Sequence, residues 1–332
     1  MSETSLPRKS VSIIIVNWNT RDLLLQCIGS IVADSADVDY EIIVVDNASR
    51  DGSLQMVEQE FPQAIAIQTG ANLGFAAANN VAFRRARGKY IVLLNSDAFL
   101  TEGTLARAVE RMQAAPQTGL AGGRLVGRDG GWQASARLFP SILNDFLSLT
   151  GLAARFPRSR FFGRADRTWA DPIEETETDW VPGAFAIIPR QVLETVGYFD
   201  EDFFLYYEEV DLCRRIRQAA YKVCYWPELV IIHIGGESSR QVSRLSLSSS
   251  GSQLTLWRMR SALLYYRKHH PRLAWAAMAM ETSWHRLRRM KNQRHPQPEA
   301  RAKAEESKAI EHLFGNAWKE TRGGRLSPAR PW

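Results

Sequence analysis

Four short apolar runs constrain the fold of this chain most: VSIIIV (11–16), EIIVVD (41–46), AIAIQ (64–68) and YIVLLN (90–95). They are rich in β-branched or aliphatic residues and too short for helices. Stretches of helical period separate them: residues 20–34, then DGSLQMVEQEF, then GFAAANNVAFRRARG. Strands alternating with helices make βαβ units, and runs apolar on both faces predict an α/β fold with a mostly parallel sheet covered by helices on each side. Such sheets bind ligands beyond the carboxyl ends of their strands. Those ends are polar here. Asn17 and Asn19 follow the first run and Asp46 and Asn47 the second; Asn72 comes soon after the third, and Asn95 and Asp97 close the fourth. Asn and Asp are also ordinary turn and cap residues, so one such ending says little. Four on one sheet edge predict a site.

Beyond residue 116 the pattern loosens. GLAGGRLV (119–126) reads as a fifth strand, and 127–178 resists assignment. A strand around 181–188, a short helix, an acidic loop, a helix over 210–220 and two short strands ending at His233 complete a catalytic unit, residues 1–236. Residues 237–253 are Ser-rich and read as a mobile loop, 254–296 as a basic amphipathic helical segment, and 297–332, charged and poor in core formers, as a partly disordered tail. With 332 residues and 45% hydrophobic composition the chain can bury a substantial core. It has no run of eighteen uncharged apolar residues, and MSETSLPRKS lacks the apolar centre of a secretory signal, so the expectation is cytoplasmic. Cys27, Cys213 and Cys224 have neither metal-site nor disulfide spacing and read as reduced, structural thiols.

No G-x-G-x-x-G follows the first strand, where the sequence is VNWNTRDLL, and no P-loop occurs. A phosphate-bearing ligand would then be neutralised by a divalent cation held on carboxylate.

The motifs VNWN (16–19), VVDNASRDGS (44–53), NLGFAAANN (72–80), LLNSDAF (93–99), WVPGAFAIIPR (180–190), GYFDEDFFLYYEEVDLCRR (197–215) and HIGG (233–236) resemble, in this order, the family 2 glycosyltransferases of the GT-A fold, particularly the branch with bacterial rhamnosyltransferases. The resemblance covers residues 11–239. It implies a GT-A-type nucleotide-diphospho-sugar transferase with a helical basic C-terminal extension, inverting in mechanism. LLNSDAF matches the Asp-x-Asp motif with Asn95 in place of the first acid, so Asp97 is the expected ligand of Mn2+ or Mg2+ against the donor diphosphate, and His233 the residue that completes the metal site. The other reading of Asp97 is a cap for a helix beginning near Thr101. Asp46 matches the nucleobase contact; Asn17, Asn72 and Gly74 join Asn95 on the donor side. In YYEEVDLCRR the base matches Glu209, one methylene longer than the usual aspartate, with Glu208 as runner-up. Asp211 is either an acceptor-side residue or the partner of Arg214 and Arg215 in a helical ion pair. Trp180 either stacks on an acceptor sugar or is core.

The partners implied are a nucleoside-diphosphate sugar, dTDP-rhamnose by resemblance only, and a saccharide or lipid-linked acceptor of bacterial surface polysaccharide. Rival readings are a nucleotidyltransferase, which would carry a glycine- and basic-rich phosphate loop absent here, and a catalytically inactive nucleotide-sugar-binding protein docked at the membrane. The whole chain has a net charge of +6, yet 254–296 alone holds ten basic residues against the single acid Glu281. Interleaved with Trp257, Leu263, Leu264, Tyr265, Trp275, Met278, Met280 and Trp284, these suit an anionic membrane surface on the inner face of the plasma membrane; a helical pair packed on the catalytic unit is the alternative, and no nucleic acid is expected.

Overall fold

A computed structural model describes residues 10–34, 38–235 and 252–329. The first half alternates as expected: β1 (Val11–Asn17), α1 (Arg21–Asp34), β2 (Tyr40–Asp46), α2 (Ser53–Glu60), β3 (Ile65–Gln68), α3 (Gly74–Phe83) and β4 (Tyr90–Leu94). The chain then reverses at residues 95–97 into β5 (Ala98–Leu100), followed by α4 (Thr104–Ala114) and β6 (Thr118–Val126). The unassigned stretch contains β7 (Trp132–Gln133), α5 (Ile142–Leu149), α6 (Leu152–Arg155) and β8 (Thr176–Glu177). Next come β9 (Phe185–Pro189), α7 (Arg190–Val196), α8 (Glu208–Gln218) and β10 (Lys222–His233). Last are α9 (Ser252–His269), α10 (Ala274–Asn292) and α11 (Pro298–Glu320).

One mixed sheet runs β3-β2-β1-β4-β9-β6-β10-β5, with β7 on β6 and β8 on β10. β1, β2, β3 and β4 are mutually parallel, β9 runs against both β4 and β6, and β10 parallels β6. The strands β1, β2, β3, β4, β6 and β10 therefore share one direction. Their carboxyl ends lie on one edge, and β9, running backwards, brings its amino end to that edge too. Alternate residues face opposite ways along a strand. Ile13, Ile15, Ile42, Val44 and Val92 thus enter one core layer, and Ile14, Ile43, Val45, Ile91 and Leu93 the other.

Three expectations change. The two short strands ending at His233 are one strand, β10, with a register shift between Trp226 and Val230 at Pro227, which has no N–H to give to a ladder. The stretch from residue 297, expected to be partly disordered, is helical over Pro298–Glu320 and buries Ala300, Ala304, Ser307, Phe314 and Ala317, a helical stripe that packs on α9 and α10. The basic segment is two helices, and Trp257, Leu263, Leu264 and Tyr265 of α9 are buried in the protein. Leu264 and Tyr265 pack with Phe203 and Val210 of the catalytic unit. The Ser-rich stretch, up to residue 251, lies outside the described residues, and so do Arg240 and Arg244, which the sequence offers as candidate contacts to the donor diphosphate. No helix among the described residues is long and apolar enough to cross a membrane.

Candidate active site

At the carboxyl edge of the sheet lies a cavity of about 370 Å³. Asn95, Ser96 and Asp97 enter it from the reversal after β4, Asn47 from the end of β2, and Asn72 and Gly74 from the start of α3. Pro182, Gly183 and Ala184 lead into β9, Glu208 and Glu209 open α8, and His233 ends β10. Asp97 does not cap a helix: α4 begins at Thr104 behind Gly103. Instead β5 pairs antiparallel with β10 and sets Ala98 opposite His233, while the Ile234 N–H donates to the Asp97 carbonyl at 3.0 Å. Two strands distant in sequence thereby deliver the Asp97 carboxylate and the His233 imidazole to one point.

The geometry there suits a cation. Gln133 Nε2 donates to the His233 carbonyl oxygen at 2.8 Å, which turns Gln133 Oε1 towards His233 Nδ1, also 2.8 Å away. A carbonyl oxygen only accepts, so Nδ1 carries a proton, and in the neutral imidazole Nε2 presents a lone pair. Nε2 lies 3.5 Å from Asp97 Oδ1, so the neutral ring sets an acceptor opposite an acceptor, and the protonated ring would pair with the carboxylate. Among the described residues no group of three or more His, Cys, Asp or Glu side chains gathers around a metal position. Two protein ligands fit an ion that takes its remaining oxygens from a diphosphate and water, as hard divalent cations do.

The Glu208–Glu209 pair is held by strained backbone. Tyr206 and Tyr207 both lie in the left-handed region at φ 71°, which few non-glycine residues adopt. Glu208 is buried and Glu209 half-buried, and one carboxylate oxygen of each, Oε2, is buried without a hydrogen-bond partner. Burial pushes both above the ordinary glutamate value. The neighbouring Glu209 pushes Glu208 further, well above that value; for Glu209 its own and the Val210 backbone N–H and the Arg137 charge pull the other way. The two carboxyls titrate as one coupled pair, and ionising either disfavours ionising the other.

The remaining candidates divide. Asn72, Gly74, Asn95 and Asp97 line the cavity, and Asn17 and Asp46 do not. Asp46 is buried beneath it, accepting from Asn17 Nδ2 at 3.1 Å and the Ser49 N–H at 3.0 Å; Asn17 also accepts from Thr20 at 2.6 Å. Its neighbour Asn47, named from sequence as a strand-end residue but given no donor role, lines the cavity and ties Asn72 Oδ1 (2.9 Å) and the Leu73 N–H (2.8 Å) together. Gly74 has φ 81°, and a Cβ there would sit 2.2 Å from the Phe204 carbonyl oxygen, to which the Phe75 N–H donates. Trp180 and Asp211, each offered either as an acceptor-side residue or as a packing or ion-pair residue, do not line this cavity. The Trp180 indole donates to the Leu138 carbonyl at 3.0 Å beneath Arg137. Asp211 is fully buried and bound to Arg215 (2.8 Å), Lys268 (2.8 Å) and His269 (2.6 Å). Trp18, Phe204, Leu254 and Trp257 complete the wall.

Residues 12–196 match the family model described as Glycosyl transferase family 2. The chain belongs to that family. Similar members include a Mycobacterium tuberculosis N-acetylglucosaminyl-diphospho-decaprenol L-rhamnosyltransferase, 26% identical over 58% of this chain and 66% of that protein. The rhamnosyltransferase WbbL of Escherichia coli K12 is 27% identical over 77% of this chain and 92% of its own. Among solved structures, the mannosyltransferase PcManGT from Pyrobaculum calidifontis, in complex with GDP-Man and Mn2+, aligns over 95% of this chain and 88% of that one with a TM-score of 0.54 at 19% identity, a likeness of fold. The family match stops at residue 196, so Glu208, Glu209, His233 and the α9 wall lie beyond it.

Proposed function

We propose that this chain is an inverting, metal-dependent glycosyltransferase that moves one sugar, with rhamnose the first candidate, from a nucleoside-diphosphate donor to a saccharide or lipid-linked acceptor in bacterial surface polysaccharide assembly. The observation that carries the proposal is the pairing, in one cavity, of the Asp97–His233 acceptor pair with the desolvated Glu208–Glu209 pair. Family membership and the names of the two relatives support the sugar and the lipid-linked acceptor.

In this reading Asp97 and His233 Nε2 hold Mn2+ or Mg2+, which when bound neutralises the charge that develops on the departing diphosphate. Glu209, the carboxyl that the motif match assigns as base, takes the proton of the acceptor hydroxyl as its oxygen bonds to the anomeric carbon; the bond from that carbon to the diphosphate oxygen breaks with its electron pair, and the anomeric configuration inverts. With two buried carboxyls side by side, the charge on one disfavours a second charge on the other. Asn47, Asn72 and Asn95 supply amides to the donor, and Asn17 and Asp46 stiffen the loop beneath. Membrane contact, if it accompanies this activity, falls to the outer face of α10 and places the protein on the inner surface of the plasma membrane.

A panel of nucleoside-diphosphate sugars with and without Mn2+, read by thermal melting, tests the proposal. Stabilisation by one donor that needs the ion, abolished in Asp97→Asn, is expected. In Glu209→Gln donor binding remains and turnover falls by 10²-fold or more. Unaltered turnover in Glu209→Gln would remove that residue from the reaction and make Glu208 the base.

A further inference from the structure

The stretch between β7 and β8 supplies no residue to the wall of the cavity. From Phe146 to Ala165 it contains Arg155, Arg158, Arg160 and Arg164 and no acid. Helix α6 buries none of its residues, and in the turn that follows, Arg155, Phe156, Pro157, Arg158, Arg160 and Phe161 are all exposed, the two phenylalanines by 43% and 53%. The turn is nevertheless well tied. The Ser159 N–H donates to the Phe156 carbonyl at 3.0 Å and the Gly163 N–H to the Ser159 carbonyl at 2.8 Å, while Thr168 Oγ1 donates to the Pro157 carbonyl at 2.7 Å. Phe162, half-buried, lies 5.1 Å from the Phe156 ring and 5.2 Å from the Phe161 ring, so the two exposed rings are held on one small patch. The Arg155 guanidinium sits 5.7 Å from the Phe156 ring and that of Arg160 4.8 Å from Trp169. Nearby, Arg137 pairs with Asp166, whereas Arg155, Arg158 and Arg160 pair with no carboxylate among the described residues.

We propose that this turn, residues 155–161, is a membrane contact additional to the outer face of α10: Phe156 and Phe161 enter the headgroup boundary of an anionic phospholipid bilayer, and Arg155, Arg158 and Arg160 lie on lipid phosphates. A single exposed ring needs no explanation, but two rings fixed side by side among unpaired arginines do. Such a patch matches a surface of phosphates over hydrocarbon, which asks for positive charge and apolar reach and for no pairing of individual atoms. The backbone hydrogen bonds hold the side chains outward before any contact, so little ordering remains to be done on docking. The exposed Phe and Trp side chains of the described residues are Phe146, Phe156, Phe161 and Trp275, on α5, this turn and α10. Those elements adjoin, since Ile142 of α5 packs with Ala274 and Ala277 of α10. The same α5 begins beside the catalytic unit, where Phe139 packs with Val210, the residue after Glu209. The inference rests on the lipid-linked-acceptor reading above for its purpose: a turn braced against α8 would set the base at a fixed height over the bilayer that carries the acceptor.

Sedimentation of the full chain with vesicles of equal parts phosphatidylcholine and phosphatidylglycerol tests this. Phe156→Ser with Phe161→Ser is expected to lower partitioning roughly tenfold or more, by the same factor at low and at high salt, because transfer of apolar surface is not screened. Arg155→Gln with Arg158→Gln lowers it roughly thirtyfold at low salt, and that factor shrinks as salt rises. Both variants keep the melting temperature of the parent, since the replaced side chains are exposed. Should the serine variant melt lower, Phe156→Trp with Phe161→Trp decides the matter: indoles suit the interface, and this variant binds at least as tightly as the parent. Parental partitioning of the serine or the glutamine variant, weaker binding of the tryptophan variant, or equal binding of the parent to phosphatidylcholine alone overturns the proposal. The vesicles carry no sugar, so this outcome is separate from that of the nucleotide-sugar panel, in which a parent stabilised by no donor would be a failure of the glycosyl-transfer reading itself.

Discussion

Two adjoining carboxyls deprived of water set the chemistry of single residues here. Glu208 and Glu209 are pushed above the ordinary value of 4.5 by burial, and Glu208 further by its neighbour. A carboxyl whose folded pKa exceeds its unfolded one binds its proton more tightly in the folded state, so its contribution to stability is fully present below pH 4.5 and is lost as pH rises through the folded pKa. Glu208→Gln removes that titration. It should melt higher than the parent at pH 8 and close to it at pH 4.5; an equal difference at both pH values would mean that the carboxyl does not titrate in this range. Asp211 has the opposite sign. Burial would raise it, but the His269 hydrogen bond, the Arg215 charge and Lys268 together hold it well below 3.8, so its contribution is present above pH 3.8 and fades as pH falls. The residue types at the sheet edge were legible from sequence because strand ends are legible. Which of two neighbours turns inward was not: Asp46 lies in the hydrogen-bonded floor and Asn47 lines the cavity, next to the turn at Ala48, where φ is +65°.

Between elements the site depends on two docking contacts. The start of α3 meets the loop before α8 at Gly74, where a methyl group would strike the Phe204 backbone and φ is unfavourable to any other residue. Gly74→Ala is expected to cost about 2 kcal/mol or more in chemical denaturation, from the left-handed backbone and the clash together, and to displace Phe204 from the Trp257 ring. A loss within 0.5 kcal/mol, roughly the scatter of ordinary surface changes, would refute the close approach. The second contact is the Asp211 cluster that clamps α9 to α8. Asp211→Asn leaves Arg215, Lys268 and His269 around an uncharged amide, and about 3 kcal/mol of stability should be lost, because removing one partner strands buried charge. Near-wild-type denaturant midpoints would sink this account. Sequence periodicity found the elements of the first half because each carries a full period. β5 escaped because three residues carry none, and with it went the link that brings His233 to Asp97. The helix α11 was hidden in the opposite way. Its buried stripe of Ala300, Ala304, Ser307, Phe314 and Ala317 has the right spacing but consists mostly of small residues among charges, and so it read as disorder.

For the molecule as a whole the remaining question is where its positive charge acts. Much of the basic segment is spent internally: Arg258 pairs with Glu281, Arg260 with Glu320, Lys268 with Asp200 and Asp211, Arg288 with Glu306 and Arg289 with Glu311. The aromatic half of the expected membrane segment is spent too, since α9 turns Trp257 and Tyr265 inward. What stays outside is one face of α10 and its flanks. Trp275, Leu287 and Met290 are 64%, 62% and 59% exposed, and Arg272, Arg286, Lys291 and Arg294 are exposed around them. Residues 275, 279, 283, 287, 290 and 294 recur at helical spacing, so the apolar and basic groups share a stripe suited to the interface of an anionic bilayer. If this stripe docks the enzyme beside a lipid-linked acceptor, the protein should sediment with vesicles containing anionic phospholipid at low salt and be released as salt rises. Each basic residue near such a surface is worth about 1 kcal/mol, so Arg286→Gln with Lys291→Gln should lower partitioning by roughly thirtyfold while leaving the melting temperature unchanged. Partitioning that survives both substitutions, or that is indifferent to salt, would assign the stripe to some other contact and leave the catalytic unit without a membrane address in α10.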